Sequence, residues 1–508
     1  MPPPTPPPTA YFLGIDVART GLGLVVLSGD GQQVASLHRA YGGGTDQLFD
    51  PQDWWRAART GIKEILRRAE LRADQIRCIG VTGDSDGMVA LSKDGKVLCT
   101  SSLGVDPRAE TQIDLLNRTV GARNLINLAS GPAHGGATAV KLLWLRENEK
   151  RVWHDLGVVL SPKDFLRFRL CETLVTDASD AAATLLFNPK TRAWSKQLLS
   201  LLDINPAWLP SISSGQLISG RVTSTAAREA GLQSGTPVIT GGGHASSAAI
   251  AASVLAPGGV MAELGGVGGI FAPTGDAVRD PSNRLISTCH TLAGVWALSQ
   301  SDLAGSEPLD WLQQHVFASE VMQAKRAQRD PLDPLAELAA EIPPGADGLL
   351  HLQPKASPRM TGFVGLGRQH GRGHLVRAVL ESGAMALRSA LDALVDMKRE
   401  PEEVLVVGSG SGNTLWCQIL ADACDRQITA IPGAECAATG AAILASSSVG
   451  LYKNVPEACA KMVGQRITYQ PRKAATEVYQ RLAPILARLP QAAALAFGDS
   501  LSAAEARS

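Results

Sequence analysis

Apolar residues recur along the chain in two alternating rhythms. An unbroken apolar run from Tyr11 to Ile15 closes at Asp16, a second spans Gly21 to Leu27, and Gly29-Asp30-Gly31 makes the next turn. The chain therefore opens as strand, turn and strand. From Asp53 to Glu70 the apolar positions Trp54, Ala58, Ile62, Ile65, Leu66 and Ala69 fall at helical spacing behind an Asp50-Pro51 start, which predicts an amphipathic helix. Ile76 to Val81 returns to a short buried strand, and β and α units in alternation indicate a layered α/β domain.

Helical patterns follow at Thr138 to Glu149 and near Lys163 to Leu170, then a loop-rich passage reaches a strand at Val238 to Thr240 and the run Gly241-Gly242-Gly243. An Ala/Ser-rich helix comes next. Val260 to Leu264, Gly265 to Gly269 and Ile270 to Ala272 repeat the opening theme of strand, tight turn and strand. Nothing recurs at a short fixed period, so two lobes with a duplicated core are expected, with a boundary near residue 256. The second lobe reads as a helix from Gly373 to Asp396, a strand at Val404 to Val407, the loop Gly408 to Gly412, and helices at Asn413 to Cys424, Cys436 to Ser446 and Ala474 to Leu489.

Composition narrows the function. A chain of 508 residues exceeds one hydrophobic core, which agrees with two large lobes. The 48 Lys and Arg balance 48 Asp and Glu, so no net field draws the chain to nucleic acid or an anionic membrane. Residues 1 to 10, MPPPTPPPTA, lack the basic and apolar regions of a signal peptide and read as an extended, disordered arm. The longest apolar stretch, around Ala245 to Ala256, is far short of the ~20 residues of a membrane span. The eight cysteines form no CxxC pair and no zinc-spaced cluster, as expected of buried thiols in a reducing cytoplasm. His134 and His290 have no ligand partners at useful spacing and are expected in loops or at the surface; Trp54, Trp55 and Trp144 are expected in the core.

Three glycine-bearing turns could hold an anion: Ala18 to Gly21, Gly265 to Gly269 and Gly408 to Gly412. Backbone amides converge there without obstruction by a Cβ, and a following helix adds partial positive charge. Each alone is equally well explained as a tight turn.

Their order and surroundings resemble the FGGY family of sugar and polyol kinases over about residues 11 to 490. Gly14-Ile15-Asp16 looks like that family's first phosphate motif, Gly265 to Gly269 its second, and the stretch from Val407 through Asn413 to Asp422 its adenosine motif. Between them Lys141 to Glu149, Thr176 to Ala181 with Leu185 to Phe187, and Pro343 to Leu350 are similar to xylulokinase-type members. The resemblance implies an α/β fold of two ribonuclease-H-like lobes, as in actin and hexokinase, with an interlobe cleft. Residues 11–256 would bind sugar and 257–508 nucleotide. It implies ATP and Mg²⁺, with Mg²⁺ near Asp16, and nucleotide contacts from Arg19, Thr20, Gly265, Gly266, Val267, Gly408, Gly410, Gly412 and Asn413. Sugar contacts would come from Ser85, Asp86 and Asp106. The partners are then a small sugar or polyol and a nucleotide, and a homodimer is compatible with such a chain.

Departures from the family pattern bear on activity. Gly241 to Gly243 lead to His244 where the family keeps its catalytic aspartate. Histidine, with an ordinary pKa of about 6.5, can accept a proton at neutral pH but brings no negative charge. Asp16 and His244 are thus the catalytic candidates, and three outcomes stay open: a slow kinase using His244, a silent binder, or a substitution compensated elsewhere. Ala18-Arg19-Thr20 retains one hydroxyl and adds a guanidinium, Gly266-Val267 replaces two hydroxyl positions, and Gly83-Asp84-Ser85-Asp86-Gly87 resembles polyol-type relatives. The stretch Lys355 to Met360 is shorter than its family counterpart. The resemblance therefore points to a D-xylulose-like ketose or a polyol.

Overall fold

A computed structural model describes residues 10–41, 48–266, 268–301, 303, 305–352 and 362–505. The proline-rich start up to residue 9, Val267 and the Lys355 to Met360 stretch lie outside these. The described chain forms two compact units. One runs to Met261 and adds Phe271–Ser299 and Glu435–Gly464, while the other comprises Ala262–Ile270, Gln300–Ala434 and the chain from Gln465 onward. The segments Phe271–Ser299 and Glu435–Gly464 return to the first unit, so neither unit is one continuous stretch of chain.

The first unit is built on a sheet ordered Ile218–Arg221, Pro237–Ile239, Ile76–Gly83, Tyr11–Ala18, Gly21–Ser28 and Gln33–Arg39, with the short strand Gly242–Gly243 also on Ile76–Gly83. Tyr11–Ala18 and Gly21–Ser28 are buried almost throughout, which explains why they read as continuous apolar runs instead of alternating ones. On one face lie the helices Pro51–Arg68 and Pro162–Cys171, with Trp54 and Phe165 in the shared core. Asp50 caps the first of these through the Gln52 amide, and Pro51 occupies its first turn, as the sequence signal required.

The other face is covered by His244–Ala251 and Cys436–Ser448, with Ile250, Ala438 and Ala442 packed against Phe12, Val25 and Cys78. Glycine permits this approach. A Cβ on Gly14 would lie 1.8 Å from the Ala438 carbonyl oxygen, one on Gly80 2.0 Å from that of Ala441, and one on Gly440 1.8 Å from that of Ser247.

Registers bring three chain segments to one edge. Asp16 pairs with Thr82 and Val17 with Gly83 in parallel, while Gly242 and Gly243 pair with the same Thr82 and Gly83. Asp16, Asp84 and His244 therefore emerge together at the carboxyl ends of parallel strands, where α/β sheets place ligands.

In the second unit Glu403–Val407 pairs in parallel with Ile428–Ala430, which pairs antiparallel with Ile467–Tyr469. The helix Arg372–Asp396 packs on Thr414–Cys424. The passage expected to be loop-rich between residues 171 and 237 instead holds short strands and helices such as Ala178–Ala183 and Ser224–Ala230. His290 is fully buried, with its Nδ1 3.2 Å from the Ser246 hydroxyl, so it is a core residue and not a surface one. Trp54 and Trp55 are buried. No helix among the described residues is long and apolar enough to cross a membrane.

Candidate active site

Asp16 lies near the end of the first strand's buried run, and His244 opens the helix His244–Ala251 directly after the strand Gly242–Gly243. His244 Nδ1 lies 3.1 Å from Asp16 Oδ2, with the carboxylate nearly buried and the ring only slightly exposed. A carboxylate beside one ring nitrogen orients the ring. The second carboxylate oxygen, Asp16 Oδ1, is buried without a hydrogen-bond partner. The Cys436 thiol, at the start of Cys436–Ser448, lies within 4.8 Å of a His244 ring nitrogen.

Gly243 brings His244 close to a polar wall. Its amide donates to Ser179 Oγ at 2.9 Å, and Ser179 Oγ in turn donates to Asp177 at 2.5 Å. A Cβ on Gly243 would stand 2.5 Å from Ser85 Oγ. Beneath this strand sits a buried ionic cluster. Lys163 Nζ reaches Asp164 at 2.6 Å and both Asp177 and Asp180 at 3.4 Å, and Arg167 donates to Asp164 at 2.7 Å. Burial alone would lower the Lys163 pKa, but Asp164, Asp180 and Asp177 outweigh it and raise it. Burial raises that of Asp180, with Lys163 opposing. Both Lys163 and Arg167 also touch the Thr240 carbonyl, so the cluster supports the glycine strand that carries His244. Sequence reasoning missed it, although Asp177 and Asp180 stood inside a recognised motif. Ser85, Ser161, Thr176 and Asp180 line a small cavity with Trp194.

The expected sugar residues converge on this edge. Asp84 accepts from the Asp86 amide at 2.9 Å, shaping the loop that carries Ser85 and Asp86. Asp106 is buried and grips Arg108 with both oxygens, at 2.9 and 2.7 Å, while Arg108 lies 4.3 Å from the centre of the Trp144 ring. Burial raises the Asp106 pKa, but the Arg108 hydrogen bonds hold it below the usual carboxylate range. Arg19 turns toward the same edge: its Nε is 3.5 Å from Asp84 Oδ2, and its guanidinium lies over Gly104. Thr20 is exposed at the turn, with its carbonyl 3.3 Å from His38 Nε2.

The two glycine loops of the second unit meet each other. Gly410 N donates to the Leu264 carbonyl at 2.9 Å and Leu264 N to Val407 at 3.0 Å. Gly265 has φ +83°, and a Cβ there would stand 2.1 Å from Ser409 Oγ. Gly266 and Gly412 are exposed and Gly408 is buried. Asn413 Oδ1 accepts from Trp416 N at 3.0 Å, capping Thr414–Cys424, so its side chain has a structural duty. Exposed amides beside a helix start suit a phosphate or nucleotide.

Family models for the FGGY family of carbohydrate kinases match residues 11–251 with the N-terminal domain and 276–449 with the C-terminal domain. The chain is 29% identical to the xylulose kinase of Escherichia coli over 499 residues, covering 94% of this chain and 100% of that protein. A solved xylulose kinase from Rhodospirillum rubrum superimposes with a TM-score of 0.80 at 28% identity, over 96% of this chain and 100% of the other. A gluconate kinase from Lactobacillus acidophilus, with a TM-score of 0.83 at 22% identity and coverage of 97% and 99%, shares the fold.

Proposed function

The chain belongs to the FGGY family of carbohydrate kinases, with that family's α/β fold, and on this premise we propose that it phosphorylates a D-xylulose-like ketose or a polyol from ATP, with His244 as proton acceptor. That it is a sugar kinase follows from the family. The 3.1 Å pairing of His244 with Asp16 carries the finer reading. Asp16 holds the imidazole in one tautomer, and Nε2 takes the proton of the sugar hydroxyl. The resulting oxygen attacks the terminal phosphorus of ATP, and ADP leaves with the broken bond's electrons. Ser85, Asp86 and Asp106 orient the sugar, and the carboxylates of Asp86 and Asp106 accept hydrogen bonds from vicinal hydroxyls. Gly265, Gly266, Gly408, Gly410, Gly412 and Asn413 bear the nucleotide, and Arg19, Thr20 and Val267 belong to its phosphate turns.

Asp16 is also the residue that would hold Mg²⁺. Its buried, unpartnered Oδ1 fits an ion that takes one or two carboxylates and fills its remaining positions with phosphate oxygens and water. Bound there, the ion would neutralise phosphate charge. Phosphoryl transfer depends mainly on positioning and charge stabilisation, so an acceptor that is displaced and brings no negative charge slows the reaction without abolishing it. The eight cysteines, seven of them buried, fit work in a reducing cytoplasm.

One observation favours a second reading, a sugar or nucleotide binder without turnover: His244 occupies one oxygen of the carboxylate that would serve the metal. ADP release measured with Mg·ATP and a panel of pentuloses and polyols separates the two. Sugar-dependent ADP release supports the kinase. Background release, with ATP or sugar still raising the melting temperature, refutes turnover and leaves the binder.

A further inference from the structure

The helix Thr138–Asn148 buries Lys141, which is 2% exposed. Its ammonium donates to the Asp86 carbonyl and, at 2.8 Å, to the Gly104 carbonyl. These two acceptors lie in different loops, one carrying Ser85 and Asp86, the other leading to Asp106. The segment just before the helix touches the same pair. The Gly135 carbonyl accepts from Asp106 N at 3.1 Å, and a Cβ on Gly136 would stand 2.7 Å from the Asp86 carboxyl carbon. A single stretch, Gly135 to Lys141, thus fastens both loops of the expected sugar site.

We propose that Lys141 is a positioning residue for sugar: its ammonium locks the Asp84–Gly87 and Leu103–Asp106 loops into one register, so that Ser85, Asp86 and Asp106 meet the substrate as a set. The proposal rests on the sugar-kinase reading of those three residues. A chain that only needed to fill space at this position would use an apolar residue, because a buried ammonium is expensive to desolvate. Here the desolvation is offset by two carbonyls and by the acids around it.

The charged groups facing Lys141 are Asp86, Asp84 and Asp106, with Arg19 and Arg108 on the same edge. Burial pulls the Lys141 pKa down to about 8, against the three acids, which raise it. The ammonium therefore begins to lose its proton in mildly alkaline solution, leaving the acids short of one cation. Stability moves the other way. A lysine pKa lowered by folding means that the folded state binds fewer protons above about pH 8, so this group's contribution to stability rises with pH from there toward its ordinary value of about 10.4. A sugar KM that rises between pH 7 and 9 while the melting temperature holds is the signature of positioning, and a purely structural lysine does not produce it.

Lys141→Met, close in length and without charge, is tested with D-xylulose and Mg·ATP beside hydrogen exchange of the unliganded protein. We expect KM for D-xylulose to rise about tenfold with kcat changed by less than about threefold. The alkaline rise in KM disappears, and residues 84–88 and 103–106 exchange faster together. Unchanged exchange in both loops, or a KM equal to wild type at pH 7 and 9, overturns the proposal. If wild type neither binds nor phosphorylates D-xylulose, that substrate reading fails, and the exchange of the two loops still decides the role of Lys141. If the variant does not fold, wild type alone decides: KM and loop protection, taken relative to the intrinsic exchange rate at each pH, that stay level from pH 7 to 9 overturn the proposal, and a rise in KM joined to a loss of protection in both loops supports it.

Discussion

Replacing His244 by aspartate restores the residue of the family pattern and breaks the contact that defines this site. The imidazole Nδ1 now lies 3.1 Å from Asp16 Oδ2, with the carboxylate about 95% buried. A hydrogen bond to a charged group contributes about 1.5–3 kcal/mol. His244→Asp removes it and sets a second carboxylate roughly 4–5 Å from the first, a repulsion of about 3–4 kcal/mol at an effective dielectric of 20. The pair relieves part of this by keeping one proton, because two close carboxylates cannot both ionise freely. A net loss of about 3 kcal/mol follows, or roughly 4–5 °C in melting temperature for a unit of more than 300 residues. The sign of its pH dependence is fixed: carboxylates whose folded pKa is raised destabilise the fold above that pKa, so the deficit shrinks as pH falls. Mg²⁺ should recover much of it, since two carboxylates offer the ion one more oxygen ligand than Asp16 alone. Turnover should rise by about tenfold or more, because a base displaced by about 1 Å can account for a hundredfold deficit. Differential scanning fluorimetry with EDTA or Mg²⁺, beside ADP release, measures all of this. A variant that melts with wild type in EDTA and gains nothing from Mg²⁺ refutes the Asp16–His244 pairing. Stability that behaves as expected with no gain in turnover instead assigns the deficit to Arg19 and the Val267 turn.

Gly80→Ala would drive a Cβ to within 2.0 Å of the Ala441 carbonyl oxygen and should cost at least about 3 kcal/mol in urea unfolding, whereas Gly412→Ala meets nothing within 4 Å and should leave stability within about 0.5 kcal/mol. Equal effects from the two would mean that the helix Cys436–Ser448 does not press on the sheet as described. His38, half-exposed, pairs with Glu435, whose hydrogen bond raises the histidine pKa despite partial burial. That stabilisation is complete below the unfolded histidine value and is lost as pH rises through the higher folded one; His38→Gln should therefore lower stability by roughly 0.2–1 kcal/mol at pH 5.5 and by almost nothing at pH 9, and a deficit that grows with pH would contradict the pairing.

How far the sequence revealed this molecule depended on the range of the interaction being read. Tyr11–Ala18, Pro51–Arg68 and Arg372–Asp396 were legible because apolar runs, Asp-Pro starts and helical spacing are local signals. Asp16 and His244 were legible as motif positions 228 residues apart, but not as partners: only the shared register on Ile76–Gly83 brings their strands to one edge. His290 was misplaced for a related reason. Its neighbours in sequence are polar and small, while its burial is made by Phe271 and Ser246, far along the chain. The Lys163, Arg167, Asp164, Asp177 and Asp180 cluster left a composition trace but no pattern, since charged residues ordinarily mark a surface. Here three acids and two bases, all buried, hold one another and the Thr240 carbonyl. Isolated, each would be too costly to desolvate, and together they fix the strand that presents His244. The same logic places Lys141. In sequence it is the first residue of a recognised block, and only the fold supplies its acceptors, Asp86 and Gly104, from two loops that lie 55 and 37 positions away. Residues proposed for the chemistry sit in motifs and can be found by reading, whereas residues proposed to aim them are recognised by what surrounds them after the chain has closed.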